Sequence, residues 1–133
     1  MTVSEIATVL AWHDALNTQD VDTLVELSTG DIEIGDAHGA VQGHGALREW
    51  ATSKGFLIEP GRMYVHDGVV VVEQHIGDAG SPQVGDERLR EERTVMASAF
   101  RVVHDKVTSV FRHDDLETAL AATELSEDDI FVG

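Results

Sequence analysis

With 133 residues, 25 of them acidic and 9 basic, the chain carries a formal charge of −16 and has room for one domain with a single core. The lack of cysteine excludes disulfides, thiolate metal sites and cysteine nucleophiles. The acidity disfavours nucleic acid and anionic membranes, both of which are bound through basic patches.

No apolar run approaches the roughly 20 residues of a membrane span. The start, MTVSEIATVL, lacks a basic segment and a small-residue cleavage site, so a cytoplasmic protein is expected. Ser4 to Asn17 is predicted as a helix, with Ile6, Val9, Leu10, His13 and Leu16 on one face and Ser4 suited to the N-cap. Asp20 can cap a second short helix through Leu27 with Val21, Leu24 and Leu27 apolar. A strand from Ile32 to Asp36 follows. Its two-residue period puts Ile32, Ile34 and Asp36 on one face, so a carboxylate ends an apolar row.

Gly39, Gly43 and Gly45 suggest a turn-rich loop, and Leu47, Trp50 and Ala51 a third helix stopping at Gly55. From Arg62 the period becomes that of strands. RMYVHDGVVVVEQHI reads as a hairpin turning at Asp67-Gly68, GDAGSPQVGD as a loop, and EERTVMASAFRVVHDKVTSVFRHD as a second hairpin turning at His104–Lys106. A last helix, Leu116 to Ala122, capped by Asp114 or Asp115, leads into an acidic C-terminal tail over residues 123–133.

Consecutive strands imply an α+β fold: a single domain with a curved antiparallel sheet wrapped around the N-terminal helices, a cone with an internal pocket. The VVVV run at 69–72 and the alternation of Met96, Ser98, Phe100 and Val102 with Val95, Ala97 and Ala99 leave both sheet faces apolar. One face takes the helices; a second copy of the chain is the simplest cover for the other, which predicts a homodimer through the outer sheet face.

The element order, together with ALNTQDVDTLVELSTGDIEI, GHGALREW and FRVVHDKVTSVFRHDDL, resembles the nuclear transport factor 2-like superfamily from Ser4 to about Ala122. That group includes ketosteroid isomerases, SnoaL-like polyketide cyclases, limonene epoxide hydrolase, scytalone dehydratase and many proteins without assigned activity. DIEIGDAHG resembles the isomerase segment whose aspartate is the catalytic base, which falls on Asp36. The isomerase tyrosine falls on Trp12 and the second aspartate of its oxyanion hole on Ala99. Losing such a donor costs roughly a hundredfold or more, so steroid isomerisation by that mechanism is not expected. In the epoxide hydrolase comparison the catalytic aspartate lands on Arg112, and its arginine and second aspartate land near Glu73–His75. A permanent cation in place of an acid breaks that relay.

The residues themselves leave alternatives open. Asp36 either starts the Asp-Ala-His-Gly turn or serves as a pocket acid. Trp12 is core packing or a ligand platform, and His13 is a satisfied core histidine or a catalytic one. Arg112, directed into the cone by the resemblance, either pairs with Asp36 or Glu73 or meets an anionic or carbonyl group of a ligand. His38 and His44 flank a glycine-rich loop and show no metal spacing, and no cofactor motif is present.

The expectation is a domain enclosing a small apolar, carbonyl-bearing molecule in a pocket lined by Trp12, Ile34, Asp36, Glu73, His75 and Arg112, with no cofactor. Two readings compete with it. One is an isomerase- or cyclase-like enzyme with Asp36 as general base and Trp12 and Arg112 holding the developing negative charge. The other is a non-catalytic dimeric interaction module whose pocket is filled by its own side chains.

Overall fold

The computed structural model describes residues 2–36, 38–53, 56–78 and 94–131. Helices α1 (Thr2–Asn17) and α2 (Val21–Glu26) precede strands β1 (Ser28–Asp36) and β2 (Gly39–Gln42) and helix α3 (His44–Ser53). Strands β3 (Phe56–His66), β4 (Val69–Asp78), β5 (Thr94–Val103) and β6 (Lys106–His113) follow, then helix α4 (Leu116–Thr123) and a 3-10 turn at Glu127–Asp129. From residue 79 on, the loop read at GDAGSPQVGD lies outside the described residues. Among the described residues, no helix is long and apolar enough to cross a membrane.

The six strands form one sheet in the order β2-β1-β6-β5-β4-β3. Every neighbouring pair is antiparallel except β1 and β6, which run parallel. Both long hairpins turn on two residues with positive φ, Asp67 and Gly68 in one and His104 and Asp105 in the other, the backbone twist that tight hairpins need. A side chain at Gly68 would sit 3.1 Å from the Val102 carbonyl, so glycine also permits the close approach of the second hairpin.

Several elements differ from the expectation: α1 begins at Thr2, ahead of the N-cap expected at Ser4, and β3 begins at Phe56 rather than Arg62. Gly39–Gln42 is an edge strand paired with β1 from Glu33↔Gln42 to Asp36↔Gly39. All four of its residues are exposed, so no alternation marked it. Strand β1 also starts earlier than Ile32, because Ser28 pairs with Val107 of β6 ahead of a register shift.

Alternation splits the sheet between two hydrophobic clusters. Ile32, Ile34, Val70, Val72, Phe100 and Val110 face inward and pack with Ile6, Val9, Trp12 and Leu16 of α1. Leu10, expected on this face, is instead 43% exposed, and Trp12 is buried in the stripe. On the outer face Tyr64, Val71 and Ala97 pack with Ala119 of α4 and with Leu125. Helix α4 is held at its start by Asp115, whose side chain accepts the Thr118 N–H at 2.7 Å; that bond holds the Asp115 carboxyl below its ordinary pKa. The chain thus supplies part of the outer cover that the sequence argument assigned to a second copy. Residues 124–131 are not a free tail: Leu125 is buried, and the Phe131 N–H donates to the Met63 carbonyl at 2.8 Å.

The free edge of β3 is also capped by Asn17, at the end of α1. Its amide donates to the Ile58 carbonyl at 2.7 Å and accepts the Ile58 N–H at 2.9 Å, completing the ladder in place of another strand.

His13 lies in the inner core, 1% exposed. Its Nδ1 meets the Val9 carbonyl at 2.8 Å and its Nε2 meets the Gln74 amide at 2.9 Å, while the Ser98 hydroxyl donates to Gln74 Oε1 at 2.7 Å. A neutral imidazole protonated at Nδ1 satisfies every contact. Burial outweighs the Val9 bond and lowers the His13 pKa from 6.5 to about 4. Because the folded value lies below the unfolded one, the denatured chain takes up this proton first as pH falls. The His13 contribution is therefore intact above about pH 6.5 and is lost progressively down to about pH 4, by about 3 kcal/mol. Urea titrations between pH 7 and 4 are expected to show this loss in the parent, on top of the carboxylate titration shared with His13→Gln, and a flatter profile in His13→Gln.

Candidate functional site

Trp12 belongs to the inner core. Trp12 is 1% exposed, stacks on Trp50 with ring centroids 6.0 Å apart and meets the Phe100 ring edge-on at 5.3 Å. Its indole N–H donates to Ser28 Oγ at 3.0 Å, and that hydroxyl donates to the Leu24 carbonyl at 2.8 Å. Trp12 is therefore a hydrogen-bonded core residue, separated from solvent by Trp50. His13, likewise, is the satisfied core histidine of the two readings above.

A cleft of about 140 Å³ lies to one side, bounded by Ile34 and Asp36 of β1, Val41 of β2, Trp50 of α3 and Arg112 of β6. The β1–β2 hairpin forms its back wall. A side chain at Gly35 would stand 2.7 Å from the Ala40 Cβ and 2.9 Å from the Phe111 ring, which reaches this wall from the outer face; only glycine fits. Trp50 was read from the sequence only as part of an apolar helix face. The signal available was a large aromatic at the rim of that face, a position where one side of the ring stays accessible.

Three of the expected pocket residues, Ile34, Asp36 and Arg112, come together in this cleft. Arg112 pairs in register with Ser98 and places its Nη2 3.5 Å from Met96 Sδ. Asp36 makes the turn contact of the first of its two readings, its Oδ1 accepting the His38 N–H at 2.8 Å, and its exposed side chain borders the cleft.

Glu73 and His75 are not in the cleft. Val70, Val72 and Gln74 of β4 face α1, so the alternate positions 73 and 75 face outward. There, Glu73 accepts from Arg62 at 3.0 Å and lies 3.6 Å from His75. The Arg62 bond holds the Glu73 carboxyl below its ordinary pKa despite partial burial. Glu73 is thus on the opposite face of the sheet from Arg112 and cannot be its partner. Ala99, the position matched to the isomerase's second aspartate, is also outward; its inward neighbour is Ser98.

No match is found among curated proteins. Solved structures share the fold. An NTF2-like protein of unknown function from Cytophaga hutchinsonii has a TM-score of 0.68 and 14% identity, covering 86% of this chain and 92% of that one. A putative polyketide cyclase from Sinorhizobium meliloti has a TM-score of 0.66 and 18% identity over 80% and 94% of the two chains. For a putative ketosteroid isomerase from Kribbella flavida the values are 0.68 and 16%, over 82% and 76%. At identities this low the likeness carries the fold and not a reaction. The SnoaL-like domain matches residues 9–110, from the middle of α1 into β6, and with this curved sheet and helix order the chain belongs to the SnoaL-like domain family of the NTF2-like superfamily.

Proposed function

We propose that this domain binds a small apolar molecule bearing a carbonyl or carboxylate group in the cleft beside Trp50. The observation that carries this reading is the sharing of one cleft by an aromatic wall, Trp50, and a guanidinium, Arg112. The tryptophan and Ile34 supply apolar contact, and the five-donor guanidinium fork suits a planar oxygen-bearing group. At about 140 Å³ the cleft is smaller than the roughly 300–1,000 Å³ that encloses drug-sized ligands, so the occupant is a small ring compound or one end of a longer molecule.

A thermal-shift panel of benzoate, acetophenone and toluene tests this. An occupant present at about a hundredfold over its Kd stabilises the fold by about 2.7 kcal/mol. The acid and the ketone are expected to stabilise and toluene to do so less; Arg112→Met removes that preference, while Trp50→Ala weakens binding of all three. No shift with any compound overturns the reading.

Because Asp36 shares the cleft with Arg112, a second reading is an isomerase- or cyclase-type proton transfer. The Asp36 carboxylate takes the proton next to the carbonyl and returns it, while Arg112 holds the enolate oxygen. Proton exchange on a small ketone, followed by NMR, is expected to fall at least about a hundredfold in Asp36→Asn; equal rates in both proteins remove the base assignment.

The outer face supports a homodimer. Beside α4 it leaves a groove of about 700 Å³ with Val69, Ala99 and Phe111 on its floor and Arg101 and Glu33 as charges of opposite sign in one register row. Sedimentation at low micromolar concentration is expected to give a dimer that Phe111→Asp dissociates; a monomeric parent overturns it.

A further inference from the structure

Beyond α4 the chain turns at Glu124, a non-glycine residue in the left-handed region (φ 63), and then wraps around the edge of β3. Leu125, 7% exposed, anchors one end among Tyr64, Val71 and Ala119 on the outer face. Ser126 caps the 3-10 turn, and Asp129 returns a bond to the Ser126 N–H. The Tyr64 hydroxyl donates to Glu127 Oε2 at 3.2 Å, and Asp129 Oδ1 lies 3.8 Å from His66 Nδ1. Ile130 forms an antiparallel bridge with Tyr64, and the Phe131 N–H donates to the Met63 carbonyl. The Phe131 side chain packs against the inner cluster. Residues 125–131 therefore cross the sheet edge from one hydrophobic cluster to the other.

These contacts are those of an extended peptide added to a sheet edge: main-chain pairing, an apolar anchor at each end, and charge matched between them. The acids Glu127 and Asp129 face a β3 edge bearing Arg62, Tyr64 and His66; Glu127 is close enough to Arg62 to raise the guanidinium pKa, after the larger effect of Glu73. In a chain of charge −16, an edge that presents the Arg62 guanidinium, the Tyr64 hydroxyl and the His66 ring favours an acidic segment over a basic one. We propose that the β3 edge from Arg62 to His66 is an acceptor site for an extended acidic segment with apolar ends, closed in the isolated chain by residues 125–131, and that its occupant from outside is the same segment of a second copy. Exchange between copies keeps every strap contact and lets the left-handed Glu124 extend. The proposal is independent of the cleft.

A fluorescein-labelled peptide of residues 125–131, LSEDDIF, titrated into full-length protein tests the acceptor site. Phe131→Ser loosens the chain's own strap and is expected to bind the peptide at least about tenfold more tightly than the parent, whereas a scrambled peptide does not bind. Ile130→Ser, altering a side chain that is 37% exposed, keeps the test available if Phe131→Ser fails to fold by circular dichroism, and should bind more tightly than the parent too. Adding Tyr64→Phe to either variant keeps the ring, removes the donor to Glu127 and should weaken the peptide several-fold. Affinities equal to the parent's, or binding of the scrambled peptide, overturn the acceptor site. Mixing donor-labelled Phe111→Asp with acceptor-labelled Phe111→Asp/Phe131→Ser or Phe111→Asp/Ile130→Ser, so that no dimer through the outer groove contributes, is expected to give energy transfer that excess unlabelled LSEDDIF abolishes; transfer that survives the peptide, or none at all, overturns the second copy as occupant.

Discussion

The sheet buries side chains on both of its faces across β3, β4 and β5, and this constraint governs the rest of the molecule. A strand sends alternate side chains to opposite sides, so β3, β4 and β5 each contribute to two cores at once. Along β4, Val70 and Val72 serve the inner cluster while Val71 serves the outer one, and all three are fully buried. The inner cluster positions α1 and packs Trp12 and His13 against Phe100, with the cleft to one side at the β1–β2 hairpin. The outer cluster requires α4 and the segment beyond it, which explains why the acidic end of the chain is docked.

The buried polar row is consistent with this packing. His13, Gln74 and Ser98 lie on the inward face, where an unsatisfied polar group costs about 1–3 kcal/mol, and each is satisfied by the next. A network of this kind specifies one arrangement of α1 on the sheet, because a helix displaced by one residue would strand both the imidazole and the amide.

Elements with a period or a cap were legible in the sequence. The stripe of α1, Asp20 before α2, the Asp67-Gly68 turn and Asp115 before α4 each combine a local signal with a local cause. The sidedness of Glu73 and His75 was not legible, since a run of valines buried on both faces has no alternation from which to read phase. Strand β2 was hidden for the opposite reason: all of it is exposed, and only the free edge of β1 makes it a strand. The docking of residues 125–131 depends on three apolar residues at irregular spacing, which fits neither period. In the candidate site, Ile34, Asp36 and Arg112 followed from strand parity and resemblance. Exchanging Trp12 for Trp50 needed knowledge of which tryptophan stacks in front of the other.

The Gly35 wall has a mechanical consequence. The Phe111 ring is part of the outer groove, yet it rests on the backbone that closes the cleft from behind, so the two hollows are separated by a single main-chain thickness. A side chain at position 35 would therefore press on the Phe111 ring and on Ala40 together, disturbing the groove and the wall of the cleft at once.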